Sequence, residues 1–289
     1  MAVYKRNYRA YAGPVNPARW RWLVITRHAL DEVFSSRVTT LLFVLCLTPA
    51  LMQALIIYLV NNEAVATLVG LRGPGPSIGP RFFFITLQIQ GWLALFLTAW
   101  IGPAMISPDL TNGALPLYLS RPIARAEYVA GKLLVLLIIL SAVTWLPCLL
   151  LFALQAGLSK APWLGPNLFL ASGMFAGAWL WIALLALLAL ALSAWVRWRI
   201  VATGLVVAII FIPSGFGAVI SAVLRTKWGF LLNVPVLLSR IWGDLLRVDI
   251  GRPISELPVS AAWLVLLAVS GVSLMLLSKR VKACQVVRG

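Results

Sequence analysis

Long apolar runs alternate with short polar segments along nearly the whole chain. Six of the runs are close to or longer than the roughly twenty helical residues that cross the hydrocarbon layer of a bilayer. The predicted spans occupy residues 38–60, 82–107, 130–156, 167–195, 200–224 and 259–278. A Gly- and Pro-rich stretch at 73–80, typical of a loop, separates the first two spans. The pattern predicts an all-α membrane protein with six transmembrane helices.

A different periodicity precedes the first span. At 100° per residue, the segment 17–36 places its apolar residues on one helical face and its charged residues on the other. The apolar face holds Trp22, Leu23, Ala29, Leu30, Val33 and Phe34, and the polar face holds Arg21, Arg27, His28, Asp31 and Glu32. This pattern is typical of a helix that lies in the membrane interface. The chain therefore divides into residues 1–37, a basic tail with an interfacial helix, and residues 38–289, the six-span domain.

The basic residues predict the orientation, because short positively charged loops stay on the cytoplasmic side. If both ends lie in the cytoplasm, 16 of the 24 Lys and Arg residues are cytoplasmic. Five of the other eight lie in the long segment 225–258, where the charge rule is weaker. We therefore predict that both termini are cytoplasmic.

The outer segment, residues 225–258, is too apolar for a linker in water. Its apolar residues include Trp228, Phe230, Leu231, Leu232, Val236, Leu237, Leu238, Ile241 and Trp242. We expect it to enter the outer leaflet or to lie on it. Within the fifth span, Pro213-Ser214-Gly215 and Gly217 predict a kink or a broken helix, since proline lacks a backbone donor and glycine adds flexibility.

The composition agrees with a lipid-embedded chain. Hydrophobic residues make up 62% of the 289 residues and charged residues only 11%, whereas soluble domains are about half apolar. The polar, basic first 37 residues lack the apolar core of a cleavable signal peptide. Cys46, Cys148 and Cys284 stand singly, so we expect packing roles and neither disulfides nor a thiolate metal site.

Candidate catalytic chemistry is sparse. All eight Asp and Glu residues fall outside the middle of the predicted spans, which disfavours a proton or ion pathway. His28, the single histidine, cannot form a pair of axial haem ligands. The sequence also lacks paired carboxylates, nucleophilic triads and zinc spacings, so no catalytic, cofactor or metal site is predicted. Gly131-Lys132 lacks the rest of a phosphate-binding loop, and we expect Lys132 to extend toward the cytoplasmic headgroups.

Some polar and small residues do lie inside the spans. Gln53, Gln88 and Gln90 are suited to lining a path or a subunit interface, although interhelical hydrogen bonding is the interpretation we favour. The fourth span carries small residues that permit close helix packing. They are Ala171, Gly173, Ala176, Gly177 and Ala178.

The connection between the second and third spans carries signals of its own. Ser107, Pro108 and Asp109 offer a capping hydroxyl, a proline at the first helical position and an acid at the positive end of the helix dipole. A short helix is therefore expected to begin here and to end at Gly113 or Pro116.

The second half of this connection is basic. Arg121, Arg125 and Tyr128 recur at helical spacing on one face, which suits acidic groups of a partner or lipid phosphates.

An ordered series of residue types runs through residues 106–132. The series comprises Asp109, Gly113, Leu117, Leu119, Ser120-Arg121-Pro122, Arg125, Tyr128 and Gly131-Lys132. This order resembles that of the membrane subunits of the type 2 ATP-binding cassette (ABC) permeases. The six-span plan, the interfacial helix and the apolar outer segment extend the resemblance more loosely over nearly the whole chain.

The resemblance implies that two membrane subunits, identical or different, pair around a central path, and that separate ATPase subunits bind at the cytoplasmic face. The short helix near 108–119, within a coupling segment 108–128, would insert into the ATPase, with the interfacial helix packed beside it. The implied coupling residues are Asp109, Leu110, Gly113, Leu117, Leu119, Arg121, Arg125 and Tyr128. The outer segment would form short re-entrant helices that close the external end.

The same resemblance implies that ATP and Mg²⁺ are bound by the partner and that this chain is not an enzyme. It places the protein in the bacterial inner membrane, surrounded by lipid, with no nucleic-acid partner. Two other functions stay open. One is a non-transporting module that acts as a scaffold or passes the ATPase stroke to an extracytoplasmic partner. The other is an ion-coupled carrier, which the lack of buried acids disfavours.

Overall fold

The computed structural model describes residues 21–68, 76–112, 125–159, 162–196 and 198–283. Within these ranges every regular element is helical. The α-helices are α1 Arg21–Ser35, α2 Arg37–Asn61, α3 Glu63–Leu68, α4 Pro80–Ile101, α5 Ser107–Thr111, α6 Arg125–Val143, α7 Trp145–Leu158, α8 Leu164–Trp195, α9 Arg199–Val223, α10 Val234–Leu245 and α11 Val259–Ala283. Short 3₁₀ turns occupy Gly102–Ala104, Lys227–Leu232 and Ile254–Glu256. The predicted basic tail, the first residues of the interfacial helix, residues 73–75 of the Gly/Pro loop and Cys284 lie outside the described residues.

Six helical stretches are long and apolar enough to cross a membrane, and we number them spans 1 to 6. They are Arg37–Asn61, Pro80–Asp109, Ala126–Leu158, Leu164–Trp195, Arg199–Val223 and Val259–Arg280. Each overlaps a predicted span, and their ends differ by four residues or fewer. The prediction of an all-α, multi-pass membrane protein is confirmed. The orientation of the spans stays a prediction.

Spans 2 and 4 form the centre of the bundle. In each of them 61% of the most apolar window is buried, against 22% in spans 1 and 5 and 17% in span 6. The two central spans approach closely at Gly102, where an added Cβ would lie 2.5 Å from the Cβ of Ala189. Only a glycine permits that approach. The outer faces of spans 1, 5 and 6 are apolar and exposed, as suits helices that border lipid.

Span 3 is interrupted at Thr144, which the hydropathy pattern did not predict. Pro147 has no backbone N–H, so it cannot donate to the carbonyl of Val143 four residues earlier. Gln90 of span 2, with its amide assigned so that the nitrogen faces these carbonyls, donates to the Val143 and Cys46 oxygens, both at 3.1 Å. A neighbouring span therefore satisfies a carbonyl that proline leaves free.

Span 5 is a single helix although it contains Pro213, so of the two predicted alternatives the broken helix is wrong and the kink stays a prediction. The Ser214 hydroxyl donates to the carbonyl of Ile210 and supplies a local hydrogen bond next to the proline. Gly217 contacts the backbone of Gly229 in the outer segment. The small residues of this span accommodate a neighbour and do not unwind the helix.

The interfacial helix α1 packs against the start of span 3 through a face slightly rotated from the predicted one. Its buried residues are Ile25, Thr26, Ala29 and Val33. Phe34, predicted on the apolar face, is 40% exposed and meets the ring of Phe43 edge-on at 5.4 Å. His28 is exposed, as predicted for the polar face.

Helix α10 of the outer segment inserts between spans 2, 4 and 6. The ring of Trp242 fits against two glycines, because a Cβ added to Gly91 or to Gly177 would lie 2.6 Å from it. Gly91 is eleven residues from the start of α4, a rise of about 16 Å, or roughly half of the hydrocarbon thickness. The outer segment thus enters the bundle to mid-depth and returns to the end at which it began. Gly177 belongs to the predicted row of small residues, and it packs against this helix.

Candidate coupling site

The side chains of two serines form hydrogen bonds between the end of span 2 and span 4. The Ser193 hydroxyl accepts the N–H groups of Ile106 at 3.0 Å and Ser107 at 2.9 Å, and it donates to the carbonyl of Pro103 at 2.9 Å. The Ser107 hydroxyl lies 2.7 Å from the carbonyl oxygen of Val196 and 3.0 Å from that of Ser193. The prediction that Ser107 caps α5 is therefore wrong, because Ser107 is the first residue of that helix and its hydroxyl bonds to span 4.

Asp109, in the first turn of α5, meets two side chains of span 3. The Tyr128 hydroxyl donates to Asp109 Oδ2 at 2.6 Å, and Lys132 Nζ lies 3.1 Å from the same oxygen. Tyr128 and Lys132 are one helical turn apart, so both side chains reach one carboxylate. They are only 1% and 4% exposed. Asp109, Tyr128 and Lys132 therefore form a largely buried, hydrogen-bonded ion pair, which we call the Asp109 cluster.

Two expectations about these residues are corrected by the cluster. Lys132 does not extend toward the headgroups, because its ammonium group is buried and paired with Asp109. Tyr128 does not present its hydroxyl on an open basic face, because the hydroxyl points to the same carboxylate. Desolvation explains both differences, since a buried ammonium or hydroxyl needs a partner and Asp109 provides one.

The interfacial helix is attached to the same turn of span 3. The Thr26 hydroxyl donates to the carbonyl of Gly131 at 3.1 Å. A Cβ on Gly131 would lie 3.2 Å from the carbonyl oxygen of Trp22 and 3.3 Å from the Ile25 side chain. In the dipeptide Gly131-Lys132, the glycine therefore allows the close approach of α1, and the lysine pairs with Asp109 of α5.

The structure leaves several predicted coupling residues untested. Gly113, Leu117, Leu119 and Arg121 lie outside the described residues. Leu110 and Arg125 belong to α5 and α6, and only their backbone is described. The contacts of these six residues stay predictions.

Cation–aromatic pairs surround this end of the bundle, and the sequence analysis missed them. The Arg199 guanidinium lies 5.4 Å from the centre of the Trp100 ring and donates to the Trp100 carbonyl at 3.4 Å. Arg280 lies 5.5 Å from the Trp195 ring, whose indole N–H donates to the carbonyl of Leu276 at 3.1 Å. Such pairs are typical of the membrane interface, and the abundant tryptophans beside Arg and Lys were the available signal.

The three glutamines do not converge on one site. Gln88 donates to the Ser239 hydroxyl of α10 at 2.8 Å, whereas Gln90 bridges spans 1 and 3. Gln53 is buried, and its side-chain oxygen has no hydrogen-bond partner among the described residues. Gln88 and Gln90 therefore make the interhelical hydrogen bonds that we favoured.

The arrangement around α5 is suited to transmitting a displacement from one helix to its neighbours. Hydrogen bonds and an ion pair of fixed geometry join this short helix to spans 3 and 4, and α1 is bonded to the adjacent turn. Packed contacts of this kind move as a unit and do not deform continuously.

No protein-family model matches the chain, and no curated protein matches it in sequence.

Proposed function

We propose that the protein is the membrane-spanning subunit of an ABC transporter, in which a separate ATPase subunit drives the movement of a substrate across the bilayer. The observation that carries this proposal is the anchoring of the connection between spans 2 and 3. Ser107 attaches its first helix to span 4, and the Asp109 cluster attaches the same helix to span 3. A push on this connection would therefore move spans 2, 3 and 4 together.

The partner would supply the energy. An ATPase subunit with bound ATP and Mg²⁺ would dock at the cytoplasmic face, beneath residues 108–128, and this chain would take no part in the hydrolysis. A second membrane subunit, identical or different, would complete the path in a bacterial inner membrane. The exposed apolar faces of spans 1, 5 and 6 offer room for such a subunit as well as for lipid.

Tyr128 acts in this proposal as a positioning residue, because its hydroxyl holds the Asp109 carboxylate. The direct ATPase contacts would come from the segment between Asn112 and Arg125, which includes Gly113, Leu117, Leu119 and Arg121.

Purification from the native membrane tests the proposal. We expect a stoichiometric ATPase to accompany the full-length chain, and to be lost when Asp109–Leu119 is replaced by a Gly/Ser linker of equal length. A matched control replaces residues 69–79, in the predicted outer loop, by a linker of the same length and should keep the ATPase. Retention of the ATPase after replacement of Asp109–Leu119 would rule out the coupling role.

The non-transporting module remains the second candidate, because a rigid connection transmits force whether or not a substrate moves. Vesicles that contain the purified complex distinguish the two. ATP-dependent accumulation of a substrate supports the transporter, whereas ATP hydrolysis that requires an extracytoplasmic partner and moves no solute supports the transmitter. An ion-coupled carrier would instead move solute under a proton gradient without any ATPase.

A further inference from the structure

The outer end of span 5 borders an open pocket with an unusual lining. The pocket has a volume of about 760 Å³, and its lining includes Ser221, Arg225, Lys227, Trp228, Phe230 and Glu256. This volume falls within the roughly 300–1,000 Å³ typical of small-molecule sites. Basic and aromatic side chains together are characteristic of surfaces at the level of lipid headgroups.

The outer segment carries more basic residues than orientation alone would favour, and four of its five find partners within the protein. Arg240 donates to the Leu257 carbonyl at 3.0 Å, and Arg247 lies 4.5 Å from the centre of the Phe169 ring. Glu256 is the partner of the other two basic residues, Arg252 and Lys227. Its carboxylate lies 3.5 Å from Arg252 Nε, and its carbonyl accepts from Lys227 Nζ at 3.1 Å.

Arg225 is the remaining one, and its side chain has no hydrogen bond or ion pair to any other described residue. It lies two residues after the end of span 5 in a left-handed backbone conformation, with φ of 49°. The pocket therefore presents Arg225 as a cation without a polar partner among the described residues, which suits a phosphate.

The surroundings favour an amphipathic ligand. At the same end of span 5, Val223 and Leu224 are 73% and 68% exposed. Trp228 at the rim is 54% exposed. A lipid would place its phosphate beside Arg225 and its acyl chains along span 5, whereas a free phosphate would leave these apolar surfaces unused.

We infer that this pocket binds the phosphate of an anionic phospholipid from the outer leaflet, with Arg225 as the principal cationic contact and Lys227 as an additional donor. The ligand class follows from the charge and the exposed apolar surface, independently of whether the protein transports a substrate.

Native mass spectrometry of the full-length protein in neutral detergent tests the inference, with phosphatidylglycerol as the probe and phosphatidylcholine as the uncharged comparison. Arg225→Gln should weaken binding of the tightest phosphatidylglycerol by about tenfold, the usual effect of losing one charge-assisted hydrogen bond. Arg225→Lys should retain most of that binding. Because Arg225 makes no polar contact with the described residues, the substitution should not disturb folding.

Arg247→Gln is the matched control, since Arg247 lies in the same outer segment at a similar φ of 54° but does not line the pocket. It should bind phosphatidylglycerol like the wild type. Equal binding by wild type and Arg225→Gln would overturn the inference, and so would an equal loss in both variants, which would indicate general surface charge. Displacement of the lipid by glycerol phosphate at the same concentration would overturn the lipid assignment in favour of a soluble phosphate ligand.

Discussion

At the residue scale, Asp109 and Lys132 are each other's main electrostatic compensation. Lys132 is almost fully buried, so removal of Asp109 leaves an ammonium group without its counter-charge in a place that water barely reaches. Removal of both charges is less harmful, since two apolar side chains of similar size need no partner. The cluster therefore makes a prediction about coupling between two substitutions.

We expect Asp109→Leu to destabilise the protein by about 3 kcal/mol, as is usual when one partner of a buried pair is removed. This should lower the Tm in detergent by roughly 8 °C. The double variant Asp109→Leu/Lys132→Leu should recover at least half of that loss. Thermal unfolding of the two single variants and the double variant measures the coupling, and additive effects would contradict the ion pair.

A second prediction concerns Gln90, which donates to two carbonyls of neighbouring spans. Gln90→Leu should cost about 1 kcal/mol, because hydrogen bonds between membrane helices contribute roughly 0.6 kcal/mol each. Gln53→Leu is the control, since the Gln53 oxygen has no partner among the described residues and its loss should cost less. Tm values in detergent compare the two variants, and an equal or larger drop for Gln53→Leu would contradict the structural role of Gln90.

The sequence predicts the spans of this protein but not the partners of its buried polar side chains. The six spans follow from composition, because any helix in lipid must be apolar over about twenty residues. The partner of Lys132 could not be predicted in this way, since Asp109 lies across a connection whose path hydropathy does not reveal. The hydrogen bonds of Gln90 could not be predicted either. One of them depends on the carbonyl of Val143, which has no helical donor because Pro147 in span 3 lacks an N–H.

At the element scale, α1 is the part whose position depends most on a single residue. Gly131 leaves no space for a side chain, and the Thr26 bond to its carbonyl requires that close approach. The amphipathic pattern predicted a helix in the interface but could not show which span it would contact. The buried face of α1 is rotated from the predicted apolar face and includes Ile25 and Thr26. This rotation follows from the contact with Gly131, which the amphipathic pattern of the helix alone does not reveal.

Gly131→Val should therefore displace α1 from span 3. Gly157→Val is a matched control on the same span, because a Cβ at Gly157 would meet no atom within 4 Å. Hydrogen–deuterium exchange of peptides that cover residues 21–35 should accelerate in Gly131→Val and stay unchanged in Gly157→Val. Unchanged exchange in Gly131→Val would show that α1 is held by other contacts.

At the scale of the whole molecule, the two ends of the bundle differ in construction. One end has α1, the Asp109 cluster and the Arg–Trp pairs, whose contacts link α1 and spans 2, 3 and 5. The other end has the outer segment, inserted to mid-depth, and the basic pocket beside span 5. The proposed coupling function requires the first end to face the cytoplasm, so orientation is the property on which it depends.

Orientation can be measured directly with two single-cysteine variants in a background where Cys46, Cys148 and Cys284 are replaced by alanine. Asn112→Cys, after α5, and Ser260→Cys, at the start of span 6, occupy exposed positions at opposite ends of the bundle. The excess of basic residues predicts that a membrane-impermeant maleimide added to intact cells labels Ser260→Cys and leaves Asn112→Cys unlabelled until the membrane is opened. The reverse pattern would place α5 and the Asp109 cluster outside the cell, where no ATPase could reach them, and the proposed coupling would then be impossible.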